Sequence, residues 1–303
     1  MSNTAPNRLK QQAELGTIGA YFTLLKPRVM SLAIFTALCG QILALHNNTV
    51  HPILFLVSLL SIAIGAGAAG CINMWYDKDI DAKMQRTKDR PIPLGIIKPD
   101  EALGLGILLS IISVLLLGLA SNLLASFLLA SSILFYVFIY TIWLKRRTYY
   151  NIVIGGAAGA LPPLIGWVSV SGGVNSFPVI LFLLIFIWTP PHFWALSLFS
   201  ENDYGKVGLP MLPNVLGKKT TIKSIIKYSY LLYLVSLLPF FLDYSGVLYL
   251  VIAVTLNTLF LYMAYCIKPN DIKSSKKLFK YSIFYLFMIF IALIVDNFLT
   301  FYW

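Results

Sequence analysis

The sequence predicts an all-α, polytopic membrane protein with about nine transmembrane helices around a central cavity. Three observations predict it. Of 303 residues, 58% are hydrophobic and only 12% charged, against about 25% charged in an ordinary soluble domain. Polar material is therefore too scarce to cover a water-facing surface. Apolar runs near the ~20 residues needed to cross a hydrocarbon core recur nine times. Finally, all 23 Lys and Arg residues fall in alternate connections between those runs.

The runs lie roughly at 27–46, 52–76, 101–119, 122–143, 150–171, 177–199, 224–242, 246–267 and 280–301. The third and fourth together are too long for one span and carry no charge between Ala102 and Trp143; the break is placed at Ala120, Ser121 and Asn122. Paired prolines, Pro162 with Pro163 and Pro190 with Pro191, are expected to break or kink the fifth and sixth helices. Interrupted helices are tolerated at membrane depth where they line a cavity, and this is the ground for a central chamber. Gly155 and Gly159 are spaced for close helix packing, with a functional role equally open.

Basic residues cluster in the N-terminal segment, at 77–100, at 145–147, at 206–227 and at 268–280, and the opposite connections have none. The positive-inside rule then puts the N-terminus and the long loops in the cytoplasm. A net charge of +11 is explained by orientation and contact with anionic lipid; no nucleic-acid partner is expected. Residues 1–20 read as a polar cytoplasmic tail and 21–303 as a single transmembrane domain. The tail has no short apolar core with a cleavage site, so no removable signal peptide is expected. Cys39, Cys71 and Cys266 are scattered and suggest neither disulfide nor zinc. Mid-span acidic or basic residues are missing, which weakens an ion-coupled transporter.

The chemistry concentrates in two cytoplasmic loops, 77–100 and 200–223. Asn73, Asp77 and Asp81 are spaced four apart and share one helical face. Two carboxylates so placed repel unless a cation lies between them, and oxygen ligands in this number suit Mg²⁺ shared with phosphate oxygens. Arg86 and Arg90 follow, also four apart, with guanidinium groups suited to phosphate. Carboxylates, metal and arginines together make a diphosphate site. The second loop offers Glu201, Asp203 and Lys206.

The stretch N-x-x-x-D-x-x-x-D-x-x-M-x-R-T-x-x-R-P, from Asn73 to Pro91 with Gly95 beyond it, resembles the signature of the intramembrane UbiA-type prenyltransferases. The likeness covers about residues 20–300. The resemblance implies a second acidic motif in the second loop, often a spaced aspartate pair. Here no D-x-x-x-D occurs, so a second metal is held by Asp203 alone or replaced in part by Lys206. The form D-Y-x-x-x-G-x-P-M-L-P from Asp203 to Pro213 resembles the branch of that family that farnesylates protohaem IX. Residues 140–148, 151–167 and 188–196 agree with that branch.

The resemblance implies farnesyl diphosphate and haem B as substrates, haem O and diphosphate as products, and Mg²⁺ as cofactor. Asn73, Asp77, Asp81 and Asp203 would hold the metal, with Arg86, Arg90, Asp203 and Lys206 on the diphosphate. The protein would sit in a bacterial inner membrane, with haem A synthase or terminal-oxidase assembly factors as further partners. His192 is either a hydrogen-bonded packing residue or an iron ligand or proton carrier; it is also the nominee for the base that activates water. Lys145, Arg146 and Arg147 either fix topology or meet haem propionates. Tyr76, Tyr136, Tyr140 and Trp194 are candidates to face an allylic cation. The alternatives are a relative that prenylates a quinone precursor such as 4-hydroxybenzoate, and a non-enzymatic haem or lipid transporter.

Overall fold

The structure is a computed structural model and describes residues 17–45 and 48–301. Most of the expected tail, Arg8 and Lys10 included, lies outside the described residues, as does His46 in the short loop after the first span. Among the described residues there are helices and no strand. A short helix α1 (Thr17–Leu24) leads into α2 (Pro27–Ala44) and α3 (Pro52–Tyr76); the single turn α4 (Lys78–Asp81) follows. Then come α5 (Pro99–Ala120), α6 (Leu123–Leu134) continued by a π-helical stretch (Phe135–Leu144), α7 (Asn151–Ser171) and α8 (Ser176–Phe199). The chain closes with α9 (Glu201–Lys206), α10 (Leu212–Phe241), α11 (Val247–Tyr265) and α12 (Ile272–Phe301).

Nine helices among the described residues are long and apolar enough to span a bilayer. The break between the third and fourth stands where the polar residues put it. Ser121 leaves helical geometry, and Asn122 caps the next helix by accepting from Ala125 N at 2.9 Å. Two helices begin well before their apolar runs. α10 starts at Leu212 and α12 at Ile272, because the Lys-rich segments before them continue as helix beyond the hydrocarbon.

The prolines do not break their helices. α7 runs unbroken through Pro162 and Pro163, and α8 through Pro190 and Pro191. The carbonyl of Ala158, which loses its partner to Pro162, accepts instead from Ser132 Oγ at 3.3 Å. Side-chain donors from a neighbouring helix are the usual remedy for a membrane proline. The interruption lies elsewhere, at Gly217 in α10 (φ 80°, ψ 162°), a conformation glycine adopts without a Cβ clash. Of the two spaced glycines, Gly155 packs tightly against Tyr140 and Gly159 does not, and a tight backbone approach is found elsewhere. It joins α2 to α7: a Cβ on Gly40 would stand 2.1 Å from Pro163 O, and one on Gly166 2.1 Å from Ala37 O.

Two apolar cores flank the molecule's centre. One gathers α8, α10, α11 and α12 around Tyr249, Tyr285 and Phe290. The other gathers α3, α6 and α7 around Ile62, Leu129 and Ile165. Long side chains such as Leu115, Phe127 and Phe241 point outward and exposed, the arrangement of a lipid-facing surface. A third cluster joins the two long loops: Ile80 and Met84 pack with Tyr204, Leu209 and Met211. Between these clusters a cavity of about 330 Å³ opens.

Candidate active site

The cavity is polar at one end and apolar at the other. Asn73, Asp81, Lys26, Arg86, Arg90 and Lys145 line the polar end. Helix α3 ends at Tyr76, yet the face expected from the sequence is kept. Asp77 N donates to Asn73 O at 3.0 Å and Asp81 N to Asp77 O at 2.8 Å, so the helical register continues through the turn. The three side chains are buried. Asn73 Nδ2 donates to Asp77 Oδ2 at 2.8 Å and to Thr141 Oγ1 at 3.2 Å.

Each carboxylate has a cation. Lys145 Nζ donates to Asp77 Oδ2, and Arg90 donates to Asp81 Oδ2 at 2.5 Å. Arg146 makes a two-pronged pair with Asp79 at 2.8 and 2.9 Å and lies 3.5 Å from Asp77 Oδ1. The Arg146 guanidinium holds the Asp79 carboxyl below the usual carboxylate range. Its other face covers the Tyr76 ring, 4.8 Å from the centroid. Arg86 lines the cavity, and Arg147 is exposed. Gly95 (φ 73°) closes the turn that returns the loop to α5.

Asp77 Oδ1 is buried and accepts no hydrogen bond. Asn73 and Asp81 line the cavity, whereas Asp77 does not appear in its wall; oxygen donors of this kind suit Mg²⁺, which takes few protein oxygens and shares the rest with water and phosphate. No group of three or more His, Cys, Asp or Glu suited to a metal occurs among the described residues. The site would therefore depend on substrate oxygens to complete a coordination shell.

The second loop contributes differently from expectation. Tyr204, Leu209 and Met211 line the cavity, whereas Asp203 and Lys206 do not appear in its wall. Asp203 is half-buried and Lys206 exposed. Glu201 is engaged with Lys218 at 2.9 Å, tying α9 to α10.

Lys26 carries a role that the sequence disguised as a topological charge. Its Nζ donates to Asn73 Oδ1 at 2.6 Å. Its backbone is left-handed (φ 52°, ψ 51°), a strained state for a lysine, and directs the side chain back into the cavity. Burial lowers its pKa to about 7, with Arg90 and Lys145 adding to the effect.

The apolar end is walled by α7, α8 and α12. Tyr136 and Tyr140 face it from the π-helical stretch, their ring centroids 5.2 Å apart. π-Helical turns recur at functional sites because they shift a side chain out of α-helical register. Gly155 accommodates the Tyr140 ring, and a Cβ there would lie 2.1 Å from Cδ2; Gly159 opens onto free space. His192 lines the chamber beside Trp188 and Leu286. Trp194 is buried in the α8–α10 core, edge-on to Tyr228, and away from the chamber wall. Tyr76 lies beneath Arg146 and also outside that wall.

Comparison with known proteins bears on this geometry. Residues 33–294 match the model of the UbiA prenyltransferase family. A protein named protoheme IX farnesyltransferase from Parvibaculum lavamentivorans is 50% identical over 309 aligned positions, covering 99% of this chain and 96% of that protein. One of the same name from Rickettsia bellii is 53% identical over 279 positions, covering 91% and 92%. Among solved structures, a digeranylgeranylglyceryl phosphate synthase superposes with a TM-score of 0.76 at 22% identity, over 93% of this chain and 98% of that one. A UbiA homologue from Archaeoglobus fulgidus bound to GPP and Mg²⁺ gives 0.67 at 17% identity, over 91% and 99%. These structural likenesses establish a shared fold.

Proposed function

The chain belongs to the UbiA prenyltransferase family, and from that premise and its two-ended cavity we infer its reaction. It is a prenyltransferase that moves the farnesyl group of farnesyl diphosphate onto a vinyl group of protohaem IX, with addition of water, giving haem O and diphosphate. The observation that carries the reading is the cavity itself. Cations and carboxylates crowd one end, and an apolar chamber of tyrosines, tryptophan and one histidine forms the other.

The allylic C–O bond to diphosphate breaks, the vinyl terminus bonds to the farnesyl carbon, and water adds at the adjacent vinyl carbon and loses a proton. Asn73, Asp77 and Asp81 would hold Mg²⁺, which neutralises charge on the diphosphate. The homologue solved with GPP and Mg²⁺ is consistent with this. Lys26, Arg86, Arg90 and Lys145 stabilise the leaving oxygens by fixed positive charge in a water-poor site. Lys145 and Arg90 first exchange their carboxylate partners for phosphate oxygens. Tyr136 and Tyr140 present π-faces to the developing cation, and the apolar chamber keeps water from capturing it early. Asp203 and Lys206 lie outside the cavity wall and would reach the diphosphate only from the loop edge, Lys206 by its charge and Asp203 through a metal ion; Arg146 and Arg147 would meet the haem propionates. The one-sided basic charge supports a cytoplasmic position for these loops, in a bacterial inner membrane.

The test uses purified protein in nanodiscs with haem B, farnesyl diphosphate and Mg²⁺, and reads the haem O mass. Haem O from the wild type, lost in a folded Asp77→Asn variant, supports the reaction. Protein that is folded and binds both substrates yet prenylates only a quinone precursor overturns it.

A further inference from the structure

His192 is held in a way that decides which of its nitrogens is free. Trp188 stacks on one face of the imidazole at 4.2 Å and 20°, and Phe279 stacks at 4.6 Å and 27°. Stacked aromatic neighbours leave the ring's nitrogen-bearing edge as the place for polar contacts. On that edge Nδ1 lies 2.7 Å from Ser282 Oγ. The Ser282 hydroxyl donates its one proton to Phe279 O at 2.7 Å, so toward His192 it must accept. Nδ1 therefore carries the ring proton, and Nε2 keeps its lone pair. Trp188 Nε1 donates to Ser282 O at 2.8 Å and fixes the same turn of α12 from the other side.

This frame suits one chemistry better than another. A general base must become imidazolium, and no carboxylate pairs with His192 among the described residues to stabilise that charge. A metal-ligating imidazole stays neutral, donates its second N–H to a neighbouring oxygen and needs a fixed ring plane. All three features are present. We propose that His192 Nε2 is the axial ligand of the haem substrate's iron, with Ser282 as the positioning residue that sets its tautomer. The iron then anchors the porphyrin at a fixed depth in the chamber, and the vinyl group to be prenylated is selected by where that anchor stands. The proposal rests on the haem-farnesylating function inferred above.

The test compares binding of ferrous haem and of iron-free protoporphyrin IX to the nanodisc protein, with resonance Raman reading the iron–histidine stretch. Wild type is expected to bind ferrous haem more tightly than protoporphyrin and to show the stretch. His192→Ala should lose both the stretch and the preference while still binding inorganic diphosphate, which reports that it is folded. Ser282→Ala keeps the ligand but frees the ring; a shifted stretch and about ten-fold weaker haem binding are expected. Haem O made by a wild type whose stretch and iron preference persist in His192→Ala overturns the ligand assignment and leaves the reaction standing. An unshifted stretch with unaltered affinity in Ser282→Ala overturns the positioning role, and carries the test alone should His192→Ala not fold. A wild type that binds no haem and makes no haem O overturns both the proposal and the function beneath it.

Discussion

Lys26, at the threshold of the first span, donates to the Asn73 amide oxygen at 2.6 Å and lines the polar end of the cavity together with Arg90 and Lys145. A half-buried lysine whose hydrogen-bond partner is a neutral amide is costly to the fold, and its left-handed backbone adds to the cost. Its value lies in the trianionic ligand. Lys26→Met is expected to lower kcat/KM for farnesyl diphosphate about a hundred-fold, the scale of losing one preorganised charge. Thermal stability should hold or rise. Steady-state kinetics beside a melting curve checks the pair of outcomes; a large fall in melting temperature would mean that the lysine is structural.

The pairing of Asp77 with Lys145 makes a similar division. Asp77 is fully buried, so Asp77→Ala strands a cation and should cost about 3–5 kcal/mol of stability, as breaking buried pairs does. Asp77→Asn keeps shape and a hydrogen-bond acceptor. It should fold, lose about a thousand-fold in activity and show a weakened Mg²⁺ dependence. Chelation of Mg²⁺ in the wild type should stop turnover reversibly. A Mg²⁺ titration of wild type and Asp77→Asn reads all of this, and an Asn variant with the wild-type metal response would remove Asp77 from the metal site.

Gly155 and Gly159 were equivalent on the page of sequence and are opposites in the structure. A Cβ on Gly159 meets nothing within 4 Å, so Gly159→Leu should leave the melting temperature unchanged and fill the chamber. Turnover should fall while diphosphate affinity persists. At Gly155 a Cβ would collide with the Tyr140 ring. Gly155→Ala should destabilise by about 1–3 kcal/mol through overpacking and displace Tyr140. Equal effects at both positions, measured by kinetics and unfolding, would contradict this assignment of the wall.

How far the sequence carried the site follows from what kind of signal each residue leaves. Asn73, Asp77 and Asp81 were legible because helical spacing survives the end of α3 through two backbone hydrogen bonds. The nine spans were legible because length and charge are one-dimensional properties. Lys26, Lys145 and Ser282 were not, since their roles depend on which helices meet, and nothing in a lysine before a proline or a serine amid apolar residues says what lies across the cavity. The π-helical stretch that turns Tyr136 and Tyr140 inward has no distinct sequence period. The paired prolines misled for a related reason. The break they suggested is mended in part by Ser132, which belongs to a different helix.

Asp296, far from the cavity's polar end, offers the last prediction. It is buried in α12 near the end of the chain, accepts from Gly246 N, and accepts from Tyr249 N at 3.0 Å. Both donors belong to the N-terminus of α11, where backbone N–H groups have no intrahelical partner and the helix dipole favours negative charge. A carboxylate from a neighbouring helix thus does the work of an N-cap. Asp296→Ala leaves both groups without this acceptor and should cost about 2–3 kcal/mol, more than an ordinary cap because the acceptor is charged and buried. Asp296→Asn retains one acceptor and should cost less. Neither variant should alter KM for either substrate, because the residue sits outside the chamber wall. Thermal unfolding in nanodiscs, with kinetics on the folded fraction, measures both. If Asp296→Ala melted like the wild type but lost haem affinity, the carboxylate would have to be reassigned from helix capping to the substrate path.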